Sequence, residues 1–98
     1  MIDGTYKIEV DVPFGRKTGT VTLRTEGDTA IADIDAPIVG KQHLKGRAEG
    51  DTFTAKGSGK IKFVGQIDYT LNGEVSGNDL VINIQSNKGE FKLRGIRA

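Results

Sequence analysis

Gly27-Asp28-Thr29-Ala30-Ile31-Ala32-Asp33-Ile34-Asp35-Ala36 is matched in pattern, position for position, by Gly77-Asn78-Asp79-Leu80-Val81-Ile82-Asn83-Ile84-Gln85-Ser86. Each copy opens on a glycine turn and continues as a period-two alternation, the mark of a strand with one face buried. Working outward, further segments pair at offsets of 47 to 50: Thr5-Tyr6 with Thr52-Phe53, Val21-Thr22-Leu23 with Tyr69-Thr70-Leu71, and Leu44-Lys45-Gly46 with Leu93-Arg94-Gly95. A repeat of this length is a supersecondary unit that cannot bury its apolar face alone. The two copies, approximately residues 4–49 and 50–98, are therefore expected to share one core in one domain.

The same alternation runs through the rest of the chain, and almost nothing has helical period. Tyr6, Ile8, Val10 and Val12 alternate with Lys7, Glu9 and Asp11; Pro13-Phe14-Gly15 turns the chain; Val21 and Leu23 mark the next strand. Strand four places Gln42, Leu44, Gly46 and Ala48 on its inner face, and strand five Phe53, Ala55, Gly57 and Gly59. Strand six runs through Phe63, Ile67, Tyr69 and Leu71, strand seven repeats strand three, and strand eight carries Phe91, Leu93 and Gly95. The fold class is all-β: eight short strands in an antiparallel meander. Closure into an up-and-down barrel removes the edges that an open sheet would expose. A two-sheet sandwich of the same strands is the alternative, although the long crossovers by which strands change sheets are absent.

Composition narrows the function classes. Ninety-eight residues, 28% charged and with a net charge of +1, make a soluble globular domain with no broad electrostatic pull toward nucleic acid or anionic membrane. There is no Cys, hence no disulfide framework or thiolate nucleophile, and His43 is the single His, which rules out two-His metal sites. His43, Asp33 and Asp35 alternate with inward residues and are expected to face water. Gly57-Ser58-Gly59 is not followed by a helix, so it is no nucleotide fingerprint. No catalytic residue, metal or cofactor is assigned. With no secretory signal in the N-terminal residues, a cytoplasmic location is expected.

Aligning the halves separates two candidate surfaces. Small or polar inward residues gather on neighbouring strands three to five, where the other half has bulky ones: Ala30 and Ala32 stand against Leu80 and Ile82, Ala55 and Gly57 against Ile8 and Val10, Gln42 against Phe91. Either large residues opposite fill that space, or the small wall (Tyr6, Ala30, Ala32, Gln42, Ala55, Gly57, Tyr69) lines a ligand pocket with Gln42 and a tyrosine hydroxyl as polar anchors. Gly57 and Gly59 also read as bends that let the sheet curl. The even-numbered connections are short and acidic, whereas the odd-numbered ones mix apolar and basic residues: Phe14, Arg16, Lys17, Ile38, Val39, Lys41 and Phe63. Those side chains either plug the barrel mouth or hold a small apolar anion or a protein partner. The outward pair Ile31 and Val81 suggests a homodimer face.

The motifs Gly4-x-Tyr6-x-Ile8, Pro13-x-Gly15, Gly19-Thr20-x-x-Leu23, Gly27-Asp28 and Leu93-x-Gly95 resemble those of short uncharacterised bacterial barrel domains. The architecture is similar to the calycin-like barrels, the group of avidins, lipocalins and fatty-acid-binding proteins. The chain has no Trp, so it departs from the Gly-x-Trp of lipocalins and the Trp-lined site of avidins, and no ligand residue is carried over. The resemblance implies a barrel occurring alone or beside larger enzymes such as old-yellow-type flavin oxidoreductases. The expected function is a non-enzymatic binding or accessory module working at the odd-loop end. A small isomerase-like or lyase-like enzyme, with Tyr6, Gln42 and Tyr69 in an internal pocket, is the rival.

Overall fold

Period-two patterning builds eight strands, β1 (Gly4–Val12), β2 (Gly15–Glu26), β3 (Thr29–Ala36), β4 (Gly40–Glu49), β5 (Thr52–Ile61), β6 (Gly65–Ser76), β7 (Asp79–Ser86) and β8 (Gly89–Arg97). Each pairs antiparallel with the next and β8 pairs with β1, giving the closed up-and-down barrel expected from the repeat, with no second sheet. The computed structural model describes residues 2–12, 15–36, 40–61, 65–87 and 89–98, without the side chains of 10–12, 15, 16 and 61. Among the connections that lie wholly within the described residues, three are two-residue hairpins, Gly27-Asp28, Gly50-Asp51 and Gly77-Asn78, whose glycines have φ of 62°, 60° and 63°. A side chain at that left-handed φ would be strained, which is why glycine recurs there.

The eight ladders are unequal. Six run for seven to ten residue pairs, but β4–β5 has only four, Gly46↔Ala55 to Glu49↔Thr52, and β8–β1 only four, Tyr6↔Arg97 to Glu9↔Arg94. These are the two junctions between the repeats. Both short ladders lie toward the end with the tight hairpins, and toward the other end β4 runs unpaired past β5 and β8 past β1. A glycine occupies the same place in each junction. A Cβ on Gly46 would strike the Thr54 carbonyl and lie 2.7 Å from Ala55 Cα, and one on Gly95 would lie 2.9 Å from both the Lys7 carbonyl and Ile8 Cγ2. The tight backbone approach at the junctions thus falls at Gly46 and Gly95. Gly57 has another use, described below.

Equivalent hydrogen bonds tie the hairpin end together. Ala48 N–H donates to the Asp28 carbonyl at 2.8 Å, and Arg97 N–H donates likewise to Asn78 at 2.8 Å. Val75 N–H donates to the Asp51 carbonyl at 2.8 Å; in the first half the corresponding amide, Thr25 N–H, donates to the Asp3 carboxylate at 3.2 Å. Asp3 also accepts from the Thr25 hydroxyl at 2.8 Å. Asp3 thereby takes the place that a hairpin carbonyl has in the second half. Ile2 is completely buried beside Tyr6, whose hydroxyl donates to the Ile2 carbonyl at 2.8 Å. Arg97 donates to Tyr6 Oη at 3.0 Å and to the Asp3 carbonyl at 2.7 Å, with its guanidinium 5.1 Å from the Tyr6 ring centre. Every polar group brought into this seal has a partner, so the apolar burial around it is not offset by lost hydration.

The core fills the half of the barrel above this seal. Ile8, Val21, Leu23, Leu71, Leu80 and Ile82 are at most 2% exposed. Burying one such aliphatic side chain stabilises the fold by ~1.5–3 kcal/mol. Phe53 lies over Gly73, its register partner, where a Cβ would collide with the ring; an aromatic covering a cross-strand glycine holds register.

Two expectations, one for the outer face and one for the interior, need correction. Ile31 does point away from the core cluster, yet it is 3% exposed and forms no free dimer face. Its register neighbours are Arg24 and Lys45, whose aliphatic stems can cover a residue between them. Val81, its counterpart, is partly exposed. The other correction concerns Phe91, expected to help fill the interior, which is 51% exposed.

Gly46→Ala should lower the unfolding free energy by about 1–3 kcal/mol in urea titration, because the methyl group meets the β5 backbone, which cannot rotate aside as a side chain can. The Thr25 hydroxyl, followed by the backbone amide, holds the Asp3 carboxyl below its ordinary value, with burial opposing. A depressed carboxyl contributes stability that is present above its unfolded pKa and lost as pH falls through the folded one. Acid titration of melting temperature should therefore decline less steeply for Asp3→Asn than for the unchanged protein, and parallel curves would refute the assignment.

Candidate functional site

With the hairpin end sealed, what the barrel offers a ligand is decided by its other end. Along β4, β7 and β8 inward side chains become more exposed toward it, whereas Ile34 and Ala36 on β3 and Ile67 on β6 stay buried to that end. Along β7, Leu80 and Ile82 are each 1% exposed, whereas Ile84 and Ser86 are partly open. Along β8, read from the seal, Leu93 is 9% exposed and Phe91 51%. Leu44 on β4 is buried at 7%, and Gln42, one inward position nearer the mouth, is partly open. The barrel is a cup, packed below and open above on its β4 and β7–β8 sides.

This division separates the residues of the expected pocket wall. Ala30, Ala32 and Ala55 are at most 3% exposed within the packed half, where they serve as small members of a filled core. Tyr6 belongs to the seal, its hydroxyl engaged by Ile2 and Arg97. Gln42, Gly57 and Tyr69 are in the open half and stand together. Tyr69 is the register partner of Gly57, and a Cβ on Gly57 would lie 2.7 Å from Tyr69 Oη and 2.6 Å from Leu44 Cδ2. The missing side chain lets the phenol of β6 lie across β5 and donate to Gln42 Oε1 on β4 at 3.4 Å, a long and therefore weak bond. Tyr6, Gln42 and Tyr69 accordingly do not form one constellation.

Burial pushes the Tyr69 phenol above its ordinary pKa, as it does that of Tyr6, where Arg97 opposes the shift. At neutral pH the Tyr69 hydroxyl is thus a hydrogen-bond donor. Gly59, the next inward position on β5, has the Gln42 amide 3.7 Å from where its Cβ would be, leaving room above the Tyr69–Gln42 contact. Across the mouth stand Ile84, Ser86 and Phe91, although the Ser86 hydroxyl donates to the Gly89 carbonyl at 2.7 Å and serves its own turn.

Of the expected odd-loop surface, Lys17 and Lys41 are exposed. Lys17 shares the inner-face parity of Val21 and so rises from the rim on the mouth side, whereas Lys41 has the outer parity. Phe14, Ile38, Val39 and Phe63 lie outside the described residues, as does the side chain of Arg16. Ile84, Gly59 and Phe91 were not singled out as site residues from sequence. Their signal was present, since strand position relative to the odd connections marks them as mouth residues, but the bulk of Ile84 and Phe91 made them read as filler.

Outer-face chemistry is structural. His43 and Asp33, opposite one another across β3–β4, meet at 2.5 Å between Nδ1 and Oδ1 with both side chains 57% exposed. Among the described residues no group of three His, Asp or Glu side chains is arranged to hold a metal ion.

No family model matches the chain, and no curated protein does. Among solved structures, it is similar over 99% of its length, and over 94% of the other chain, to a redesigned β-barrel, mFAP1, bound to DFHBI, with a TM-score of 0.68 and 17% identity. At that identity the likeness is one of fold: an eight-stranded antiparallel barrel, of an architecture that in mFAP1 accompanies a bound ligand.

Proposed function

We propose that the protein is a non-enzymatic binding module that takes a small amphipathic anion into the open half of its barrel. The observation that carries this reading is the gradient of exposure along β4, β7 and β8, from packed core to open mouth within two inward positions. An apolar body would rest on Ile84, Phe91 and the Tyr69 ring, replacing water on carbon surface. Gln42 and the protonated Tyr69 hydroxyl orient a polar group, and Lys17 at the rim favours negative charge, the small number of placed polar contacts typical of such sites. A barrel of the same fold solved with DFHBI bound supports the architecture as a ligand holder. The separation of Tyr6 from Gln42 and Tyr69 removes the geometric support for a three-residue catalytic pocket.

Titration with the anionic fluorophore anilinonaphthalene sulfonate should give saturable one-to-one binding, and its neutral phenylnaphthylamine analogue should bind more weakly. Gly59→Leu places its side chain in the space above Gln42 without a backbone clash and should weaken both probes at least tenfold. Lys17→Glu should weaken the anion selectively. Equal affinity for Gly59→Leu and the unchanged protein would rule out the lumen as the site.

A further inference from the structure

The two repeat junctions share a geometry and differ in charge. Beyond its fourth pair, each ladder stops, leaving one strand edge on either side of an unpaired slot. The last pair of the β8–β1 ladder, Glu9↔Arg94, carries opposite charges. Extending the β4–β5 register past Gly46↔Ala55 sets Lys45 toward Lys56, His43 toward Ser58 and Lys41 toward Lys60. Like charges facing each other across a ladder are unfavourable. Because the complementary junction stops just as early, the short ladder is a property of the repeat. The single-sign rows belong to β4–β5 alone.

The outer residues of the β4–β5 slot, with Arg47 one step below, are exposed. Lys41 has Asp35 and His43 has Asp33 on the β3 side, and Asp68 on β6 stands opposite Ser58. Among the described residues, none of Lys41, Lys45, Arg47, Lys56 and Lys60 makes an ion pair. The inner side of the slot has a different character. Leu44 reaches over Gly57 and Gln42 toward Gly59, so β5 presents glycine where a neighbouring strand would normally place side chains.

We propose that the β4–β5 slot is a docking site for an extended acidic segment of another polypeptide, which adds as a strand to the free edge beside the lysine rows. A free edge offers main-chain donors and acceptors in a line, which gives affinity in strand addition, while alternate side chains give specificity. Successive outward side chains on a strand repeat every ~6.8 Å, twice the ~3.4 Å rise, on both the protein and an added strand. Carboxylates at alternate positions of the segment would therefore face Lys41 and Lys45 on one side and Lys56 and Lys60 on the other. The intervening positions turn toward the lumen, where Leu44 and Tyr69 already cover Gly57 and Gly59 leaves space, and should be apolar and no larger than Val. Nucleic acid fits less well: among the described residues the one large exposed aromatic is Phe91, which is in the mouth and not beside the lysines, so stacking platforms for bases are missing from this face.

The test uses the full chain and a labelled, end-capped ten-residue peptide of alternating Glu and Val, followed by fluorescence anisotropy. Controls are the alternating Lys and Val peptide, the Glu peptide N-methylated at alternate residues, and a ten-nucleotide oligothymidylate. The Glu peptide should bind saturably and at least tenfold more tightly than each control, should weaken on raising salt, and should slow amide exchange in β4 or β5 near the slot. Lys45→Glu together with Lys56→Glu should weaken it at least tenfold while leaving binding of the lumen fluorophore unchanged, which shows that the barrel is intact. Unaltered peptide affinity in that double variant overturns the proposal, as does no binding of the Glu peptide. Equal binding of the N-methylated peptide, or tighter binding of oligothymidylate, overturns it in favour of a diffuse cationic surface. The lumen reading stands or falls separately, on Gly59→Leu.

Discussion

At Gly46 and Gly95 the backbone of one four-strand repeat lies against the backbone of the other with no room for a methyl group, and the closed barrel depends on that contact. A sheet with one apolar face gains most by curling until no edge is left, but the curl has to be concentrated somewhere. Here the ladders are shortest at the two repeat junctions, four residue pairs each. Shortening the ladders at the repeat boundaries leaves the hairpin end tightly joined and the opposite end open, so the asymmetry of the cup follows from where the glycines sit.

The seal reinforces that asymmetry. In the second half a hairpin carbonyl, Asp51, receives the β6 amide; in the first half the Asp3 carboxylate, just ahead of β1, receives the equivalent amide. Around this substitution Tyr6, Ile2 and Arg97 close the bottom with every polar atom paired. The same residue type does different work above: Tyr69 is free to reach Gln42 because Gly57 leaves its path clear. Two tyrosines on equivalent-looking inward positions thus end up as a structural bolt and as part of a binding surface.

Much of this was legible from the chain alone. Period-two alternation located all eight strands and the repeat implied closure, because both are statements about local geometry and about apolar area that has to be covered. The small-residue wall was legible only in part. Ala30, Ala32 and Gln42 look alike as departures from the bulky half, but the first two lie in the packed region and the third near the mouth, a difference of depth that composition does not encode. Ile31 misled for a related reason: parity shows which way a side chain points, and covering by Arg24 and Lys45 across two ladders depends on register.

What the sequence determined by itself was the strand count and the tight glycine hairpins, since these are set by nearest neighbours along the chain. Only the tertiary structure decided which inward residues are core and which line a mouth, and that the lysines of β4 face those of β5 across an unpaired slot while Arg94 meets Glu9 at the other junction. Both depend on how far two distant strands stay paired. That is a balance of backbone approach at Gly46 and Gly95 against curvature of the whole sheet, and no local pattern in the chain contains it.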